Sequence, residues 1–543
     1  MDNVTDGLPG TGWPTFDVAG FEDFGLSDFP FVDGRTPFWL PQNSQAEALS
    51  YATAFDDRSP VSQEQTAGSI TTTHHTGSAE DHQEDHVQRL TASGSKRFLQ
   101  TYYRISHPGQ VSGLTDEDFV NYYFHNVCTV YSCFDSQQNK FRSLVADAWT
   151  SSATIYLAIQ SMAAGHLANH YPSLASLGVQ KRSQAWRYLQ KDLQLHRVAK
   201  IPTETVLLGL LLLGPSSTWH QASNLGMQFL FIARNLMQNY LRESFSRSSL
   251  PALRNEEFFH EALMHWEMVA SFVDPVPFAA LAGNMQLPEQ RLYSDRERKL
   301  PHPWTGVVPD IHFAVAEVGR MLRRRRTHSA AVPGTPQTTS SAYISATDDQ
   351  WVESLESFLH NIELPGTDDI ANYEDVRTPS ADLIMCADAM RFAGLLEIYD
   401  VFPDLLRRQA SNDTELSGFS FADVTESTVH ADSLTAIAMH VLETVKPIAI
   451  TSAACRLLPF ILLVAGCRLR LSQGGSDQEQ DEITQVRYIV EARMLLLSRK
   501  YPQKPLLQML DIIKESWQRL DQGSTEAHWL DVADEKGWQT LIG

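Results

Sequence analysis

Cysteine, positive charge and long apolar runs are all in short supply in this 543-residue chain, and each shortage removes a class of answer. The five cysteines, Cys128, Cys133, Cys386, Cys455 and Cys467, are an odd number scattered through apolar contexts, which excludes a disulfide framework. They read as buried thiols in a reducing compartment. No apolar run reaches the ~20 residues of a membrane span. The strongest, 205–214, is half that length, and a second, 445–466, is interrupted by Lys446, Pro447, Arg456 and Pro459. Both read as buried core helices. The N-terminus carries acids and glycines where a secretory peptide needs a basic start and then an apolar stretch. With 43 Lys and Arg against 65 Asp and Glu, the net charge of −22 makes the whole chain repel phosphate backbones.

The usual handles for catalysis are also missing. There is no G-x-x-x-x-G-K-[ST] loop and no G-x-S-x-G elbow, so nucleotide hydrolysis and esterase chemistry lose their signatures. Gly7, Gly10 and Gly12 have neither the preceding strand nor the following helix that a dinucleotide site requires. His260, Glu261 and His265 approach a zinc-protease pattern with one residue too many between the histidines. Five helical residues turn about 500°, leaving the imidazoles about 140° apart instead of on one face. They read as helix residues beside a buried Trp266. His74, His75, His82 and His86 lie in a polar tract that reads as solvated, although imidazoles can hold a transition metal. No catalytic, cofactor or metal residue is therefore assigned.

What the chain does have begins with its N-terminal segment. Residues 1–94 hold fifteen acids against three arginines, and the first lysine is Lys96. Trp13, Phe16, Phe21, Phe24, Phe29, Phe31, Phe38 and Trp39 are interleaved with the acids, with Gly and Pro breaking any periodicity. This is the composition of a disordered activation segment, or of a solubilising tail. We take 1–95 as a disordered acidic segment and 96–543 as a helical domain.

From Thr115, with acids in the first turn behind it, apolar residues recur every three or four positions. Helices are expected near 141–169, 177–197, 203–213, 219–240, 254–273, 308–326, 350–360, 381–400, 430–471, 480–499, 504–520 and 526–536. Flexible linkers are expected near 328–348, 363–380, 409–428 and 472–479. The fold class is all-α, an irregular multi-helix bundle without a fixed repeat. Arg320, Arg323, Arg324, Arg325 and Arg326 close one helix, either favouring its dipole or forming a nuclear-import patch.

Several pieces, in order, resemble the second type of fungal-specific transcription factor domain, the helical region usually found behind a binuclear zinc cluster. They are YYFHNVCTVYSCFD (122–135), FRSLVADAWTSSATIYLAIQSMAAGHLA (141–168), RSQAWRYLQKDLQ (182–194), EALMHWEMVASFV (261–273), HPWTGVVPDIHFAVAEVGRMLR (302–323) and LLPFILLVAGCRLR (457–470). The terminal pieces DIIKESWQRLD (511–521) and WLDVADEKGW (529–538) complete the match, which runs from about residue 96 to the end.

The resemblance implies a nuclear regulator of metabolic or secondary-metabolite genes. It does not carry over DNA binding, because a binuclear cluster needs six thiolates in a short basic segment and residues 1–127 contain no cysteine. Partners would be the transcription machinery or a DNA-binding protein, as homo- or heterodimer, with no membrane. The alternatives are an accessory or dominant-negative partner of a DNA-binding paralogue, a truncated gene model, or a small-molecule-binding protein or enzyme that uses a cavity among the helices.

Overall fold

The computed structural model describes residues 114–198, 200–244, 250–273, 299–329, 339–411, 426–471, 476–524 and 528–541. The acidic segment, the glycines at 7–12 and the histidines at 74–86 lie outside them. The chain divides into Met1–Thr91 and Ala92–Gly543, and everything below concerns the second unit.

The fold is all-α. No strand occurs among the described residues; isolated bridges join Lys299 to Ile370 and His302 to Gly306. In chain order the helices are α1 (Asp116–Tyr122), α2 (Cys128–Tyr131), α3 (Lys140–Ala148), α4 (Ala153–Leu167), α5 (Ala175–Arg197), α6 (Thr203–Leu213), α7 (Ser217–His220), α8 (Met227–Ser244), α9 (Leu250–Ser271), α10 (Pro309–Ser329), α11 (Thr339–Asn361), α12 (Ser380–Val401), α13 (Pro403–Ser411), α14 (Glu426–Val445), α15 (Leu458–Gly466), α16 (Asp477–Lys500), α17 (Gln503–Asp521) and α18 (Trp529–Lys536). A π turn, Tyr123–Val127, joins α1 to α2.

Polar side chains set the helix starts. Thr115 forms a full capping box with Asp118, whose carboxylate accepts from the Thr115 backbone N–H at 2.8 Å. The shorter Asp thus does the work of the usual Glu. Ser476 and Glu479 form the same box before α16. Ser152 caps α4, so the run expected over 141–169 is two helices, α3 and α4. The run expected over 430–471 is likewise broken. The chain leaves α14 at Val445, just before Pro447, makes a 3₁₀ turn at Ala453–Leu457 and restarts as α15 with Pro459 in its first turn, where a missing N–H costs nothing. Conversely, α11 begins at Thr339, inside a Ser- and Thr-rich stretch that reads as linker.

The expected linker over 363–380 is held in place. Ala371 N–H donates to Lys299 O at 2.9 Å, Asp375 accepts from Asp135 N–H at 3.0 Å, and Thr378 Oγ1 accepts from Ala453 N–H at 3.1 Å. Tyr373 and Thr378 are buried there. Of the other expected linkers, residues 330–338, 412–425 and 472–475 lie outside the described residues.

The helices surround two apolar cores. The first gathers α1 to α9 around α6, whose residues Val206–Leu213 are buried on every side. The second gathers α10 to α18 around α15, in which all nine residues are buried. The two strongest apolar runs are therefore the centres of the two cores, and among the described residues no helix is long and apolar enough to cross a membrane. Neighbours in sequence pack as neighbours in space: α4 on α5, α9 on α10, α16 on α17. Helix α9 belongs to both cores, since Trp266 and Ala270 face the first while Met268 faces the second.

Close approach at α9 needs glycine. A Cβ on Gly214 would lie 2.1 Å from the Trp266 ring, and one on Gly319 would lie 2.1 Å from Ser271 Oγ. Gly214→Ala should therefore destabilise the chain by about 1–3 kcal/mol through overpacking. Urea unfolding measures it; a loss below about 0.5 kcal/mol would mean that the Trp266 ring does not fill this gap.

Candidate functional site

The junction of the two cores is where polar side chains collect. In the segment around Trp266 and Glu267, adjacent residues differ by about 100° around the helix, so the indole enters the first core while the carboxylate turns aside. Glu267, 1% exposed, accepts from Arg234 of α8 through Nε and Nη2, and from Arg320 of α10 at 3.2 Å. Arg320 also donates to Glu317 at 2.8 and 3.0 Å. Four charged groups from three helices are thereby buried with matched partners, the condition under which buried charge is tolerated.

The remaining arginines of the run point elsewhere. Arg323 donates to the Phe272 carbonyl and to Asp534 of α18, and Arg326 to Asp531 at 2.9 Å. Arg325 pairs with Asp349 at 3.0 Å and stacks over the Phe402 ring. Arg324 is partly accessible. The five arginines expected at a helix end thus do not share one surface. Arg320 and Arg323 face inward, and the run reaches acids on α9, α10, α11 and α18, a set of partners that charge patterning alone does not reveal.

A second polar cluster lies beside the turn before α10. His302 and Gly306 pair backbone to backbone, with Gly306 at φ +70°, a conformation that favours glycine. Nδ1 of His302 accepts from the backbone N–H groups of Trp304 and Thr305 at 3.1 and 3.2 Å, so its Nε2–H donates to the Phe258 carbonyl at 3.1 Å. The Trp304 indole N–H donates to the Tyr131 carbonyl at 2.7 Å, and Cys133 N–H to the Pro303 carbonyl at 2.7 Å. These bonds bind the turn to the end of α2.

Next to it, Nδ1 of His265 meets Nδ1 of His312 at 3.2 Å. His260, which the spacing places about 140° around the helix from His265, is half-buried and does not share this contact. Arg456, from the 3₁₀ turn before α15, lies close enough for its charge to act on both His265 and His312. The sequence marks Arg456 only as an interruption of an apolar run and gives no sign of His312.

Burial keeps these imidazoles neutral. It is the largest influence on each: His302 and His312 are lowered to about 3, His220 to about 3, His166 to about 4, and His265 and His528 well below the ordinary 6.5. Burial also holds the Cys128, Cys133 and Cys467 thiols up at about 12, unreactive as nucleophiles. All five cysteines are free and buried. Among the described residues no group of three or more His, Cys, Asp or Glu is placed to hold a metal. A small crevice between Phe272, Phe460, Trp529 and Trp538 is walled mainly by apolar groups, with Arg323, Gln539 and Thr540 and no carboxylate or imidazole in its lining.

The profile of the fungal specific transcription factor domain matches residues 118–543. A search of curated proteins gives no match, nor does a search of solved structures.

The buried charges and imidazoles give two measurable consequences. Arg320→Ala leaves Glu267 short of a partner and should cost about 3–5 kcal/mol in urea unfolding, against less than about 1 kcal/mol for the exposed Lys446→Ala. Equal losses would contradict the buried clamp. With folded pKa values below the unfolded 6.5, the six histidines contribute stability that is present above pH 6.5 and lost progressively as pH falls toward their folded values, about 4 for His166 and about 3 for His220, His302 and His312. Glu397, buried and raised to about 7, acts oppositely, contributing stability below about 4.5 that is lost as pH rises through 7. Six groups outweigh one, so the melting temperature should fall steadily below pH 6.5; a flat profile between pH 6.5 and 4 would contradict this burial.

Proposed function

The chain belongs to the fungal specific transcription factor domain family, which matches it over residues 118–543, and from that premise we propose that it regulates transcription through protein contacts. Family membership carries this reading. Charge favours protein partners over nucleic acid: at −22 the chain is repelled by a phosphate backbone unless a local basic surface compensates. The basic run offers little such surface, because Arg320 and Arg323 are engaged inside the fold.

In these 543 residues the five thiols are one short of a six-thiolate cluster. Each sits buried in the helical body, and none belongs to a group of three or more metal-ligating side chains among the described residues. The fifteen acids and interleaved aromatics of residues 1–94 supply the composition that recruits transcription machinery, and a DNA-binding protein is the second partner this reading proposes. The same premise implies work in the nucleus, with metabolic genes as targets. Import through the arginine run would fall to Arg324, Arg325 and Arg326, the members with accessible surface.

Residues 1–94, tethered to a heterologous DNA-binding domain, should raise reporter output several-fold, and replacing the eight aromatics by Ala should abolish the effect. In the same cells the tagged full chain should be nuclear, and Ala at positions 324 to 326 should shift it to the cytoplasm. A silent reporter would remove the activation role. A wild-type protein excluded from the nucleus would overturn the regulatory reading itself.

A further inference from the structure

Arg456 is 3% exposed, and its Nε and Nη2 groups, both fully buried, meet no hydrogen-bond acceptor among the described residues. These two nitrogens form the edge of the guanidinium that grips a carboxylate side-on. Elsewhere in this molecule the same edge does that work: Arg142 holds Asp135 with it, Arg234 holds Glu267, Arg320 holds Glu317 and Arg391 holds Asp388. A guanidinium stays charged in a protein, and a buried charge without a partner is expensive. The groups beside Arg456 that could ever carry a negative charge are Tyr131, Tyr501 and Cys133, none of them a carboxylate.

A second buried group beside it has an unbonded nitrogen. His265 and His312 share a hydrogen bond between their Nδ1 atoms at 3.2 Å, and Nε2 of His265, fully buried, meets no partner among the described residues. Thr305 Oγ1, in the same turn, is buried and unbonded as well. One donor fork and one unbonded imidazole nitrogen at the junction of the two cores describe a complementary molecule.

We propose that Arg456 anchors an internal site for a small carboxylate that carries a hydroxyl group, gripped side-on through Nε and Nη2 while the hydroxyl, able to donate or accept, hydrogen-bonds Nε2 of His265. The site stands whether or not the chain regulates transcription; if it does, the two cores close around a metabolite of this class.

The test is the melting temperature of the purified full chain in sodium glycolate, sodium acetate or sodium chloride at equal ionic strength. Ligand binding to the folded state should raise it by roughly 3 °C in saturating glycolate over chloride, and by less in acetate. Arg456→Met should abolish both shifts, while His265→Phe should keep the acetate shift and lose the extra gained with glycolate. Arg456→Lys, which keeps the charge and loses the fork, should diminish both shifts and serves if the Met variant lacks native helical circular dichroism. A wild type that melts alike in all three salts, or an Arg456→Met variant that gains as much as wild type, would overturn the site.

Discussion

Glu267 sits in the helix that both cores share, with Arg234 on one side and Arg320 on the other. Taking such a carboxylate out of water costs several kcal/mol, which is recovered only when its partners are in register. That requirement couples three helices. A shift of α8 or α10 by a single residue would rotate an arginine about 100° away and leave a charge stranded. The clamp adds little net stability compared with an apolar replacement, but it penalises every other arrangement of α8, α9 and α10 heavily. With Trp266 filling the gap over Gly214 and Gly319 letting α10 approach Ser271, the helix has few alternatives.

The rest of the junction follows from α9 being fixed. Its His265 meets His312 of α10, and the turn between those helices is tied by His302 and Trp304 to Phe258 and Tyr131. The C-terminal helix is drawn in by Arg323 and Arg326 through Asp534 and Asp531. A region dense in neutral imidazoles and matched ions, lying between two apolar cores, is better suited to respond to a small polar molecule or a proton than either core is.

How much of this could be read in the sequence depends on how local each cause is. The apolar runs at 205–214 and 445–466 were legible as buried core, because a helix buried all round needs no partner pattern to be recognised, although only 458–466 of the second is the central helix. The breaks at Ser152 and after Val445 were hidden by apolar periodicity that runs on across them, and α11 by its Ser- and Thr-rich start. The arginine run was plain as charge, yet its roles were not. The partners of Arg320, Arg323 and Arg326 lie 53, 211 and 205 residues away, distances at which nothing in the local pattern relates them. Arg456 and His312 were invisible for the same reason, since each matters only for what the fold places beside it.

The central claim is that the clamp and the Trp304 turn make the two cores one cooperative body. Native-state hydrogen exchange tests it most directly, comparing the slowest amides of α6 in the first core with those of α15 in the second at increasing denaturant. The account predicts that both sets open with the same free energy and the same denaturant dependence, as parts of one global unfolding. Two distinct opening energies, with one core exchanging while the other stays protected, would contradict it.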